Sequence, residues 1–212
     1  MITLVLKDLL LQKKILTTMF IYVFIFSFAF RSLGEYQPVA IITGVSYMLV
    51  MFAGAWEDKN NADRLWNSLP VSKWQIVGSK YLSVLAYVAL ASAATWITMT
   101  VLSLVNVSVA MGAVSLVSIA AGAVSVLLLS SFYLPIYFAL GYIKSRYLNF
   151  VIYFAFLFLA NALSGLVGRL SAVPFLANAG SAVLLGLGVG SMALVIAVSF
   201  VLSLRLYTRR EF

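Results

Sequence analysis

The sequence predicts an all-α integral membrane protein with six transmembrane helices and both termini in the cytoplasm, and three observations predict it. The 212 residues are 64% hydrophobic and 9% charged, with a mean hydropathy of +1.08, whereas a soluble domain averages about 25% charged residues. The apolar residues fall into runs long enough for a hydrocarbon core of about 30 Å, which needs roughly 20 residues of helix; they lie at 15–33, 39–56, 81–105, 114–140, 148–168 and 181–204. Lys and Arg gather at alternate ends of those runs.

That last pattern fixes the expected orientation. With the N-terminus inside, Lys7, Lys13, Lys14, Lys59, Arg64, Lys73, Lys80, Lys144, Arg146, Arg205, Arg209 and Arg210 are cytoplasmic, and only Arg31 and Arg169 are not. The asymmetry follows the positive-inside rule, and an odd number of spans breaks it at one end. The net charge of +8 therefore suits anionic headgroups rather than nucleic acid. The first run, flanked by Lys13-Lys14 and Arg31-Ser32, has no small-residue cleavage site before its polar flank, so it reads as a retained span. One membrane domain, residues 1–212, is the simplest division.

Residues 1–14 place Ile2, Val5, Leu6, Leu9 and Leu10 at helical spacing between lysines. They read as a helix in the cytoplasmic interface, or else as an extension of the first span. Residues 57–80 form the one substantial polar segment and hold Glu57, Asp58 and Asp63, three of the six acidic residues. Asn61 can cap a short helix over 62–69 that Pro70 stops. Ser72 with Gln75 makes a capping-box pattern that begins the next helix. The Leu65-Trp66 pair among these charges suits a docking knob for a soluble partner, and equally a solvated connector.

The composition excludes much chemistry. With no Cys and no His, there is no disulfide framework, no thiolate or imidazole metal site and no Ser–His dyad. No phosphate-binding Gly-x-x-x-x-Gly-Lys-[Ser/Thr] loop occurs. Every Asp and Glu falls outside the expected spans, whose polar content is mainly hydroxyls and amides such as Thr43, Ser46, Tyr47, Thr95, Ser130, Ser131, Tyr133 and Asn161. A proton relay has little to run on, so the driving force is expected from elsewhere. Catalysis, metals and organic cofactors are not expected of this chain. Small residues, Ala89 and Ala93 in the third span and Gly186 and Gly190 in the sixth, allow close helix approach, within one chain or between subunits. Pro135 is expected to kink the fourth span.

Three stretches carry a family resemblance: Lys7-Asp8-Leu9-Leu10; Glu57-Asp58-Lys59-Asn60-Asn61-Ala62-Asp63; and Ser68-Leu69-Pro70-Val71-Ser72-Lys73 running on to Lys80-Tyr81. Together they resemble the type-2 ATP-binding-cassette permeases. The chain looks most like their small bacterial branch, which includes the phenol-soluble modulin exporters of amphipathic peptides. The resemblance implies a bacterial plasma-membrane permease that pairs with a second copy or close paralogue and docks a cytoplasmic ATPase, which holds the ATP and Mg. It also implies an elbow helix at about 2–14. A coupling helix at about 61–69 is implied too, with Glu57, Asp58, Lys59, Asn61, Asp63, Arg64, Leu65, Trp66, Leu69 and Pro70 at or beside the docking surface. Cargo of amphipathic or hydrophobic peptides is the corresponding expectation. A non-transporting membrane partner in immunity, sensing or anchoring is the alternative.

Overall fold

The computed structural model describes residues 2–60, 62, 71–105, 113–170 and 181–209, and among them every regular element is helical. In chain order these are α1 (Ile2–Leu11), α2 (Lys13–Ala29), a 3-10 helix (Arg31–Tyr36), α3 (Gln37–Lys59), α4 (Lys73–Leu104), α5 (Leu116–Leu170) and α6 (Ser181–Arg209). Among the described residues, four helical stretches are long and apolar enough to cross a membrane: Arg31–Lys59, Lys73–Leu104, Leu116–Ala155 and Gly188–Arg209. Thr17–Ala29 is apolar but shorter. The apolar exterior agrees: Phe20, Phe24 and Phe28 of α2, Trp96 of α4 and Phe150 and Phe154 of α5 all lie exposed on the single chain, which only a hydrocarbon surround tolerates at this density.

α3 is the central helix, in contact with α1, α2, α4 and α5. Its buried residues Ile41, Ile42, Val45, Leu49, Val50 and Ala53 repeat at the three-to-four spacing that gathers side chains on one helix face. Pro38 occupies its first turn, where the missing N–H breaks no intrahelical bond. The buried Gln37 donates to the Ser27 carbonyl at 2.7 Å, tying the end of α2 to the start of α3 across a turn that uses Gly34 at φ 55°.

α5 packs against α3 on one side and α6 on the other. Where it crosses α3 there is no room for a side chain: a Cβ on Gly122 meets Ile42 Cγ2 at 2.7 Å. Further along, the Tyr47 hydroxyl donates to the buried Asn149 side-chain carbonyl. On the other side, Ser199 donates to the Ser131 carbonyl at 2.6 Å and Phe138 meets the Tyr207 ring edge-on. α4 joins α6 through the Tyr81 hydroxyl, 2.6 Å from Ser199 and 3.0 Å from Ser203.

Several sequence expectations change here. The fourth and fifth expected runs fall within one helical element, α5, and its non-helical dihedrals are at Gly141, φ 76° and ψ 175°. That conformation is essentially confined to glycine. Pro135 lies inside the helix six residues before that break. α1 is a separate helix, divided from α2 by a turn at Gln12. Ser72 is the N-cap residue of α4 with extended dihedrals, as its position in the capping pattern implies, but its side chain makes no capping bond; the Gln75 and Ile76 amides go to its backbone carbonyl instead.

Candidate functional site: a buried ring of charge beneath the polar segment

α1 presents its faces in an unexpected order. Leu6 and Leu10 point outward, 55% and 64% exposed, while Asp8 is buried. Asp8 turns inward because two other elements bring partners to it. α3 continues past the expected end of its span to Lys59, which carries Glu57 on the same inward face as Val50 and Ala53. α4 begins at Lys73, so Lys80 lies two turns inside it, with Ser83 and Tyr87 following at helical spacing on its buried face.

These residues form a closed ionic ring. Lys80 Nζ lies 2.9 Å from Asp8 Oδ2 and 2.7 Å from Glu57 Oε1. Lys7 Nζ lies 2.9 Å from Asp8 Oδ1 and 2.7 Å from the same Glu57 oxygen. The remaining acceptor positions are also used: Ser83 donates to Asp8 at 3.0 Å and Tyr137 of α5 donates to Glu57 Oε2 at 3.0 Å. Gln12, just beyond α1, donates to the Tyr87 hydroxyl at 2.8 Å and to the Leu49 carbonyl at 3.2 Å. Two cations and two anions cancel, and each carboxylate has three partners, the arrangement that makes buried charge tolerable. A cavity of about 10 Å³, lined by Asp8, Glu57, Lys80, Gly54, Tyr133 and Tyr137, adjoins the ring and is close to the smallest size that holds a water molecule. Gly54 lets the tyrosines close in there: a Cβ would sit 3.1 Å from both Tyr133 and Tyr137 and 3.2 Å from Tyr142, so those rings would have to give by a few tenths of an ångström.

Burial alone raises the Asp8 pKa, but Lys80 and Lys7 together outweigh it and hold the group below its ordinary value of 3.8. A depressed carboxylate contributes stability that is complete above its unfolded value and is lost as pH falls through the lower folded one. The melting temperature of the detergent-purified protein is therefore expected to be clearly lowered by Asp8→Asn at about pH 7 and less so at about pH 3, the deficit shrinking as pH falls below the ordinary value of 3.8. An equal effect of the substitution at both pH values counts against the ring.

The ring was not legible as a site. The sequence places Glu57 in the stretch expected to meet water, yet the structure buries it at 5% exposure, because two lysines and a tyrosine converge on its carboxylate. Ile76, Val77 and Lys80 at the other end of that stretch are buried as well. The available signal was the polar stripe Lys80, Ser83, Tyr87 on one face of an otherwise apolar helix. Asp58 and Lys59 are exposed, with Lys59 over the Trp56 ring at 5.0 Å. Ala62 is helical and buried; Asn61, Asp63, Arg64, Leu65, Trp66, Leu69 and Pro70 lie outside the described residues. Of the small-residue positions, Ala89 and Ala93 are on the exposed face of α4, and no described residue lies within 4 Å of a Cβ on Gly186 or Gly190, so none of the four packs in the described core. Among the described residues no three of His, Cys, Asp or Glu converge as a metal site would require.

The helical architecture, its apolar exterior and a charge cluster confined to the helix ends define a multi-pass membrane protein. Residues 3–208 match the family described as ABC-2 family transporter protein. The chain belongs to that family, and is thus a membrane component of an ATP-binding-cassette transporter. No curated protein and no solved structure matches it significantly.

Proposed function

We propose that the chain is the permease subunit of an ATP-driven exporter of amphipathic or hydrophobic peptides, resembling the phenol-soluble modulin branch. It crosses a bacterial plasma membrane six times with both termini inside, and works as a pair with a second copy or close paralogue. The observation that carries this reading is the family match over residues 3–208. The six-span count rests on the twelve-to-two distribution of basic residues, with α2 as the first span and the Gly141 break separating the fourth from the fifth. The chain has no phosphate loop of its own, so ATP and Mg belong to a cytoplasmic ATPase, for which the segment between α3 and α4 is the docking element. Leu65 and Trp66 supply its apolar anchors.

Replacing Leu65 and Trp66 together with glutamate is expected to abolish co-purification of the cognate ATPase, because anchors of this kind contribute about 2 kcal/mol or more each. The stability of the permease itself is expected to be unchanged. Undiminished capture of the ATPase sinks the docking assignment. Cargo movement driven by a pH or sodium gradient without nucleotide sinks the ATP-driven reading, and an intact complex that hydrolyses ATP but moves no amphipathic peptide into vesicles favours a sensing or anchoring role.

A further inference from the structure

Glu57 and Lys80 stand at the two ends of the link that carries the docking element, residues 58–79, and they touch each other at 2.7 Å. The ring therefore closes the base of that link, and Lys7 and Asp8 fasten α1 onto the same point. The geometry points to a conformational latch: the Lys7–Asp8–Glu57–Lys80 ring is shut in the state described here and opens when the docked ATPase pulls on the link, releasing α1 from the bases of α3 and α4. This rests on the permease reading above.

Four features favour a latch over a permanent brace. A buried ion pair gives up hydration roughly in proportion to what it gains from attraction, so the paired and the wetted states of such a ring lie close in free energy. A brace is better made of apolar contacts, and this chain has those in abundance along α3 and α5. The ring is neutral, so it opens as a unit without stranding a net charge. Water also has an entry, since the Lys7 side chain is 27% exposed while Asp8 is 2% exposed, and the adjoining cavity gives a first water a place to go. Finally, the polar bonds that hold α1 to α3 and α4 gather at this one point, through Asp8, Lys7 and the neighbouring Gln12; beside them only Leu4 and Leu9 of α1 pack on the core among the described residues, and Leu6 and Leu10 are turned away.

Ser83 reports on the latch at the cost of weakening one hydrogen bond to Asp8. Its hydroxyl sits 3.0 Å from Asp8 and is buried in the closed state, and the chain contains no cysteine, so Ser83→Cys introduces a single thiol and keeps all four charges. In the complete permease–ATPase complex, labelling of this thiol by a small water-soluble maleimide, read on the permease by mass, is expected to be slow without nucleotide. Trapping with ATP, Mg and vanadate is expected to accelerate it at least tenfold. The pair Asp8→Cys with Ser83→Cys provides a second measurement: oxidation to a disulfide is expected to lower ATP turnover by the complex at least tenfold, with recovery on reduction. A complex whose Ser83→Cys thiol reacts at one rate in every nucleotide state, or whose disulfide-linked form turns over ATP as fast as its reduced form, overturns the latch and leaves the permease reading intact. An unsubstituted chain that captures no ATPase overturns both.

Discussion

Lys80→Met is expected to destabilise the protein by about 3–5 kcal/mol, the cost of breaking a buried pair from one side. Methionine nearly matches the volume of the lysine stem, so the loss is electrostatic rather than a cavity. Without Lys80, Asp8 and Glu57 lie buried with only Lys7, which already touches both, to neutralise them, so one negative charge is left unbalanced. The measurement is the melting temperature of the purified chain in detergent at neutral pH, and of Lys80→Met combined with Glu57→Leu. The double substitution leaves one neutral pair, Lys7 with Asp8, and is expected to recover part of the loss, a coupling on the order of 0.5–3 kcal/mol. If the two substitutions add without coupling, Lys80 and Glu57 are not paired as described.

Gly122→Val is expected to cost about 1–3 kcal/mol by overpacking. The position has no slack: a new Cβ lies 2.7 Å from Ile42 Cγ2 and 3.1 Å from Ile42 Cβ, and Ile42 is fully buried at 0% exposure, so it has nowhere to retreat. Relief therefore requires α5 to move off α3, the helix on which the core is built. Ile42→Ala alone leaves a void, but combined with Gly122→Val it is expected to be more stable than either change alone, because the valine fills the space that the isoleucine vacates. Melting temperatures of the two singles and the double decide it. A Gly122→Val protein as stable as the parent shows that α3 and α5 do not cross there.

Much of the architecture was legible because it depends on composition and short-range pattern. Helix content, apolar length and the start of α4 at Lys73 follow from runs of Leu, Val, Ile, Phe and Ala and from Pro70 and Ser72. Pro135 is expected to kink the fourth span because proline removes a helix donor, and it lies inside α5. A helix in apolar surroundings accommodates that loss locally, whereas the φ of +76° at Gly141 is a demand on the residue itself. The ionic ring was hidden for a different reason. Its members are 50 and 72 residues apart, so no periodicity joins them, and each stands beside a polar or basic stretch where charge needs no explanation. The family resemblance rested on about the first 81 residues, and those are the residues that supply all four ring charges. Its remaining helices resemble the family only as apolar spans, although the match itself extends to residue 208.

The burial of Asp8 on α1 bears on how the chain is made. Lys7 and Asp8 leave the ribosome long before the carboxylate and the ammonium that neutralise them, so during synthesis the N-terminal segment has no interior to enter and a charged pair that favours water. The ring can therefore close only once α4, which carries Lys80, has been made.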